Sequence, residues 1–312
     1  MTPEKENCIY GPVPSRRLGR SLGIDLLPAK ICSYDCIYCQ LGRTAAATIR
    51  RRPFRNAADV LTQVKKVLAG GVTADCLTIA GSGEPTLNSD IGKVIRGIKE
   101  ATPLPVAVLT NGSLLSDEDV RDALMAADIV VPSLDAYNAA LFEKINRPHK
   151  TIGFDRMVEG LVDFSRAFPG RLWLEIFIMD GINAAPEDAA GFKPLVDRIA
   201  PTDVYINTAV RPPADSSVRQ VSEETVDFFY QALGVSRQRD TVFSARAGDQ
   251  AGDIAPAILE MAARRPVTLE DMAAGLATPI EKIRRTVKEL IAGNRLDAVK
   301  KNASVYYRVP IA

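Results

Sequence analysis

Six short β-rich runs alternate with six helix-length stretches, and this order limits the fold more than any other feature of the chain. The runs fall at 22–27, 76–80, 106–110, 129–134, 172–178 and 204–208, and the helical stretches at 57–68, 91–100, 117–127, 154–168, 186–199 and 222–233. In 57–68, Val60, Leu61, Val64, Val67 and Leu68 recur at three- and four-residue steps, which marks one buried helix face. Strand, helix, strand, repeated in this way, implies parallel strands joined by crossovers. Six units match a partial (β/α)6 barrel, since a full barrel needs eight. Periodicity alone leaves a doubly wound sheet open.

The pattern then changes. Residues 1–235 form the expected core, 236–252 are polar and glycine-containing and read as a linker, and 253–312 read as a small second domain. In that domain, helix patterns at 254–263, 268–274 and 280–292 precede two β-like pieces at 295–300 and 304–309, joined at Lys301-Asn302-Ala303. Thr268 and Asp271 have capping-box spacing, Thr278-Pro279 reads as a cap plus first-turn proline, and Gly293-Asn294 ends the last helix. Three helices followed by a hairpin is the order of a winged helix.

Of 312 residues, 46% are apolar and 25% charged, an ordinary globular mix. No window approaches the ~18 consecutive apolar residues of a membrane span, and the start is polar, so a cytoplasmic protein with no membrane partner is expected. Five cysteines, an odd number, argue against a disulfide framework. The single histidine, His149, leaves no histidine-rich zinc site and reads as an exposed or capping loop residue. Charge is uneven. Residues 1–56 carry ten Lys/Arg against four Asp/Glu and 253–312 carry ten against seven, on a chain of net +1. Arg50-Arg51-Arg52 is either a solvated loop or a phosphate-attracting rim.

Three of the five cysteines, Cys32, Cys36 and Cys39, lie within eight residues as Cys-x3-Cys-x2-Cys. Thiolates suit zinc or iron–sulfur clusters. Structural zinc wants four closed ligands. Three thiolates can instead hold three irons of a [4Fe-4S] cube and leave one iron open to chemistry. The loop follows the first strand and Pro28, at the carboxyl end of a strand, where α/β barrels place their sites. Cys76 begins a buried-type strand and reads as core, whereas Cys8 reads as a lone surface thiol. Those two are too few to hold a second all-cysteine cluster.

This spacing, with Tyr38 directly before the third cysteine, resembles the signature of the radical S-adenosylmethionine (SAM) superfamily. The resemblance implies a [4Fe-4S] cluster on Cys32, Cys36 and Cys39, chelation of its open iron by SAM, and one-electron cleavage to a 5′-deoxyadenosyl radical. Gly81-Ser82-Gly83-Glu84-Pro85, after the second strand, resembles the family's Gly-Gly-Glu-Pro segment that receives the SAM amino group. Asn111, Ser133 and Asp135 end the third and fourth strands at positions matching SAM contacts, although each residue type also favours turns and caps. Glu175, inside the apolar run 172–178, either points into the barrel mouth as a cofactor or substrate contact or needs a buried partner.

Further segments, among them Tyr10–Gly23, Lys144-Ile-Asn-Arg-Pro148, Asp180-Gly-Ile-Asn183 and Asn207–Pro213, resemble the group containing the wybutosine tRNA enzyme 4-demethylwyosine synthase. Only Cys8 precedes the signature here, so the chain reads as a relative in that group. A radical enzyme acting on RNA or a nucleotide is expected. It would have a one-electron donor of flavodoxin or ferredoxin type, and RNA contacts through Lys282, Arg284, Arg285, Lys288, Lys300 and Lys301. The alternatives are an activase or modifier of a partner protein, docked through the C-terminal domain, and a nucleic-acid-binding redox regulator.

Overall fold

The computed structural model describes residues 7–15, 17–28, 30–237 and 254–310. Seven strands form one sheet in sequence order: β1 (Ile9–Ser15), β2 (Gly19–Ile24), β3 (Cys76–Ile79), β4 (Val106–Thr110), β5 (Ile129–Pro132), β6 (Arg171–Ile178) and β7 (Asp203–Thr208). Strands β2 to β7 are parallel. The register runs Ile24, Ile79, Val108, Val130, Leu172, so their carboxyl ends gather on one side. β1 pairs with β2 antiparallel and forms the edge. The sheet curls into a half-barrel.

Helices α1 (Ala57–Ala69), α2 (Ile91–Ala101), α3 (Glu118–Leu124), α4 (Ala139–Asn146), α5 (Phe154–Ala167), α6 (Pro186–Ile199) and α7 (Glu223–Leu233) fill the crossovers. Several start on side-chain caps: the Asn56 oxygen accepts from Ala58 N, Asn138 from Leu141 N and Ser222 from Thr225 N. Ile91, Val94, Ile95 and Ile98 of α2 join Leu77, Ile79, Val106 and Val108 in the core between helices and sheet.

Because side chains alternate along a strand, the opposite residues line the concave face. At the amino ends that face is plugged by Cys76, Ala107, Ile129, Val131 and Trp173. Toward the carboxyl ends Thr78, Leu109, Glu175, Phe177 and Asn207 border a cavity instead. The alternation therefore closes the floor and opens the mouth.

Helices α8 (Ala255–Arg264), α9 (Leu269–Gly275) and α10 (Ile280–Ala292) and the hairpin β8 (Asp297–Lys301) and β9 (Ser304–Arg308) follow. Ile258, Met261, Met272, Ile283 and Val287 make a second core that also takes in Val13 of β1. The Thr268–Asp271 capping box forms as expected. Thr278 does not cap α10: its hydroxyl donates to the Leu276 carbonyl, and Pro279 occupies the cap position. Apart from Ser236 and Arg237, the expected linker lies outside the described residues.

Two elements were absent from the sequence reading. β1 contains Gly11, Pro12 and Pro14, which read as loop, but an edge strand tolerates missing donors. α4 is only eight residues long, too short to show a helical period. The expected strand at 22–27 begins earlier and ends at Ile24.

Candidate functional site

The segment after β2 is held from two sides. On one, Ile31 bridges to Gly83: Ile31 N donates to the Ser82 carbonyl (3.3 Å) and Glu84 N to the Ile31 carbonyl (3.0 Å). On the other, Asp35 N reaches the Asn146 carbonyl (3.0 Å), Ile37 N the Ile145 carbonyl (2.9 Å), and His149 N the Ser33 carbonyl (2.8 Å). Thr44 seals the loop, its amide on Asp35 Oδ1 (2.5 Å) and its hydroxyl on the Tyr34 carbonyl (2.9 Å). The cysteine loop is therefore clamped between the end of β3 and the end of α4. His149 is a half-buried loop residue whose Nδ1 meets Thr151 Oγ1 at 2.9 Å.

Cys32, Cys36 and Cys39 are free thiols, partly buried, on this loop. N–H groups point at two of the sulfurs. Cys32 Sγ accepts from Tyr34 N (3.5 Å) and Asn111 Nδ2 (3.6 Å), and Cys36 Sγ from Asn146 Nδ2 (3.5 Å). Burial pushes the Cys32 thiol up to about 12, with the Glu84 charge adding to it. Burial, then Cys32, Asp135 and Cys39, push Cys36 well above the usual thiol range. Bare thiolates are thus disfavoured here, and a cationic partner would offset that cost. Among the described residues no three His, Cys, Asp or Glu side chains close around a single metal ion. A soft three-thiol set with N–H···S donors fits a cluster by its ligand chemistry.

Behind Cys36, Asp135 is 3% exposed and ties the site together. Its Oδ2 accepts from Tyr38 Oη (2.5 Å) and Asn146 Nδ2 (2.8 Å), and its Oδ1 from Phe177 N (3.2 Å). Burial raises its carboxyl to about 6 against the pull of the Tyr38 and Asn146 hydrogen bonds. Tyr38 stacks on Phe177 with centroids 4.2 Å apart.

The turn after β3 depends on two glycines. Gly81 has φ +148°, and a Cβ there would lie 2.3 Å from Asp25 Cγ; one on Gly83 would lie 1.8 Å from the Ile31 carbonyl oxygen. Asp25 Oδ2 accepts from Ser82 N (3.1 Å) and Ser82 Oγ (2.5 Å). Glu84, expected as a cofactor contact, is 1% exposed. Its carboxylate is occupied internally by Thr86 N and Oγ1 (3.1 and 2.6 Å), Thr110 Oγ1 (2.7 Å) and Asn111 N (2.7 Å). Its contribution is to position Asn111 and the 3₁₀ turn Pro85–Leu87, in which Pro85 is buried.

Glu175 pairs with Arg17 at 2.6 Å and lines a cavity of about 480 Å3. Gln40, Gly81 and Phe177 also line it, placing it beside the cysteine loop. Ser133 sits next to Glu175 through a backbone bridge. The structure thus groups the cysteines with Tyr38, Asn111 and Asp135, and places Glu175 at the cavity wall. The sequence reading missed the roles of Ser33, Ser113, Asn146, Arg17 and Asp25. Ser33 bonds Ser113 (2.7 Å) and Asn111 (2.9 Å). Asn146 lies in the segment Lys144–Pro148, which the resemblance had singled out without a role. Cys8, expected at the surface, is buried with its thiol on Gln63 Oε1 (3.3 Å), and burial raises it to about 11. Arg50 and Arg52 are exposed, whereas Arg51 Nε donates to the Thr86 carbonyl (2.9 Å).

The sequence model of the Radical SAM superfamily matches residues 26–192, more than half of the chain. The chain belongs to the radical SAM superfamily, and within it groups with the UPF0026 proteins. It is 36% identical over 219 residues to the UPF0026 protein of Methanocaldococcus jannaschii, covering 70% of this chain and 68% of that one. A Brachyspira hyodysenteriae protein named GTPase Obg is 34% identical over 311 residues, 98% of this chain. The chain spans 46% of that relative's length. A probable GTP 3′,8-cyclase of Saccharolobus islandicus is 30% identical over 147 residues, 46% of this chain and 44% of that one. Two solved structures share the fold at TM-score 0.51. One is a radical SAM methyltransferase from Sphaerobacter thermophilus (17% identity, 69% of this chain and 63% of that one). The other is native anSMEcpe with bound AdoMet (13% identity, 69% and 59%). Neighbours in the family bind a [4Fe-4S] cluster and SAM, and the family is one of radical enzymes.

Proposed function

We propose that this chain reductively cleaves SAM at a [4Fe-4S] cluster held by Cys32, Cys36 and Cys39, as an oxidoreductase that modifies RNA or a nucleotide-type substrate. The observation that carries the reading is the placing of all three cysteines on one loop, pinned to the turn after β3 and to the end of α4, with N–H donors on two of the sulfurs and a cavity alongside. When bound, the cluster and SAM supply a 5′-deoxyadenosyl radical that takes hydrogen from the substrate.

The protein's own residues then have definite tasks. Asn111, Asn146 and the Tyr34 amide donate to the sulfurs and favour their charged form. Tyr38 and Asp135 brace the loop against Phe177. Gly81–Gly83 keep backbone close to the loop without side-chain bulk, and Asn111, Ser133 and Asp135 frame the SAM seat. The plugged floor of the half-barrel keeps water from entering beneath the reacting atoms.

A nucleotide-type substrate is supported by the arginines of the cavity wall and by the name of the Saccharolobus relative. The wybutosine-related branch is supported by where its segments fall: Arg17, Asn146, Asn207 and Arg211 all lie at the site or the cavity. We read residues 253–312 as a winged-helix domain. The support is three helices and a hairpin, with Val267 and Tyr307 exchanging backbone hydrogen bonds at 3.0 and 2.7 Å. Arg284, Arg285 and Lys288 are exposed on α10 for RNA. The setting we assign is a low-oxygen cytoplasm with a flavodoxin- or ferredoxin-type donor. Anaerobic reconstitution with dithionite and SAM, assayed for 5′-deoxyadenosine with and without bulk tRNA or mixed nucleoside triphosphates, tests the reading. Absence of 5′-deoxyadenosine from cluster-loaded protein refutes it.

A further inference from the structure

The cavity beside the cysteine loop lies between the concave face of the half-barrel and helices α8 and α9. Four arginines from three stretches of chain reach its wall: Arg17 after β1, Arg211 after β7, and Arg264 and Arg265 at the end of α8. Asp25 takes Arg264 Nε at 3.3 Å, and two carboxylates in the wall answer Arg17 and Arg211, each through one guanidinium nitrogen. Glu175 takes Arg17 Nη2 at 2.6 Å, and Asp271 takes Arg211 Nη2 at 3.3 Å. Arg17 Nη1 and Arg211 Nε are buried and have no hydrogen-bond acceptor among the described residues. Buried N–H groups of charged side chains are rarely left unanswered, and each such loss is costly.

We propose that this cavity binds a phosphoryl group of the substrate, with Arg17 and Arg211 as the two jaws of the clamp. A phosphate carries several acceptor oxygens and enough charge to answer two guanidinium forks together, which a carboxylate with two oxygens does less completely. Glu175 and Asp271 hold the forks in place, and both arginine side chains, each 20% exposed, line the cavity. Asp271 lies on α9, so the clamp is complete only with the C-terminal helices on the half-barrel. Ser21 and Thr78, bonded at 2.6 Å, add a polar patch to the same wall. The inference rests on the radical enzyme reading for its biological sense, but the clamp is defined without the cluster.

Calorimetric titration of the full-length, cluster-free protein with inorganic pyrophosphate, against sodium chloride of equal ionic strength, is the test. Saturable binding is expected, about tenfold or more weaker in Arg17→Gln and in Arg211→Gln. The surface variant Arg198→Gln, which disturbs only an exposed pair with Glu159, should bind like the parent. Pyrophosphate heats no different from chloride, or undiminished binding in both folded arginine variants, overturn the proposal. Should either variant fail to fold, the parent titration still decides. Competition by guanosine triphosphate assigns the phosphoryl group to a free nucleotide, and competition by bulk tRNA assigns it to RNA; failure of both to compete overturns the substrate role. Protein that cleaves SAM but ignores pyrophosphate refutes the clamp alone. Protein that binds pyrophosphate but never cleaves SAM refutes the radical reading and leaves the clamp standing.

Discussion

Arg264 Nε lies 3.3 Å from Asp25 Oδ2, across 239 residues of chain, and this pair joins the C-terminal helices to the end of β2. Asp25 is 2% exposed, and the same oxygen accepts from the amide and hydroxyl of Ser82. Arg264 also lies over the Tyr10 ring, 4.7 Å from its centroid, and donates to the Asn7 carbonyl (3.1 Å). Arg264→Met therefore leaves a buried carboxylate without its cation. Breaking such a pair costs about 3–5 kcal/mol, so urea unfolding should show a large loss, and SAM affinity should fall with it. Adding Asp25→Asn should restore part of the stability, because the stranded charge is gone. A double-mutant cycle measures the coupling, and additive effects would show that the pair does not act as a unit.

Replacing any one of Cys32, Cys36 and Cys39 by alanine should abolish the cluster absorbance and most of the iron after anaerobic reconstitution. Cys8→Ala and Cys76→Ala should keep both, since each thiol is buried apart from the loop. Iron and sulfide analysis of the five variants checks the assignment. Iron retained by all three loop variants would refute it.

Asp135 makes the cluster-free protein pH-sensitive. Its carboxyl holds a proton up to about pH 6 when folded, against an ordinary 3.8. Between these values the folded state binds more protons than the unfolded one. Stability is therefore highest below pH 4 as far as this group is concerned, and is lost as pH rises to about 6. The window is worth on the order of 2–3 kcal/mol. Chemical denaturation from pH 4 to 7 should show this decline, and Asp135→Asn should flatten it. Tyr38→Phe removes a hydrogen bond that favours the charged form, so the decline should still begin near pH 4 but extend to a higher pH.

Gly83→Ala places a methyl group 1.8 Å from the Ile31 carbonyl oxygen, and Gly81→Ala adds a Cβ at φ +148° against Asp25. Backbone must shift in both. A stability loss of about 1–3 kcal/mol or more is expected, together with reduced iron loading, read by thermal melts and iron assay. Gly71→Ala, also at positive φ but with open space around it, should cost less and leave iron loading unchanged.

The parallel strands were legible because runs such as Ile129–Pro132 are apolar throughout, and Cys76–Ile79 is apolar but for Thr78, as suits strands covered on both faces. The cysteine loop was legible because its ligands are neighbours in sequence. Glu175 was legible as a conflict, and the structure resolves it both ways: the side chain faces the cavity and has a partner in Arg17. Asn146, Asp25 and Arg264 were not legible. Their roles come from contacts spanning 110, 57 and 239 residues, which no local pattern encodes. β1 was hidden because its glycine and prolines look like punctuation until β2 pairs with it.

The cysteine loop takes its shape from amide bonds to the 82–84 turn and to the end of α4, none of which involves sulfur. The polypeptide accordingly offers a finished socket. Under the proposed reading, a cluster would enter and leave a backbone already in place, so its loss would not demand a round of unfolding.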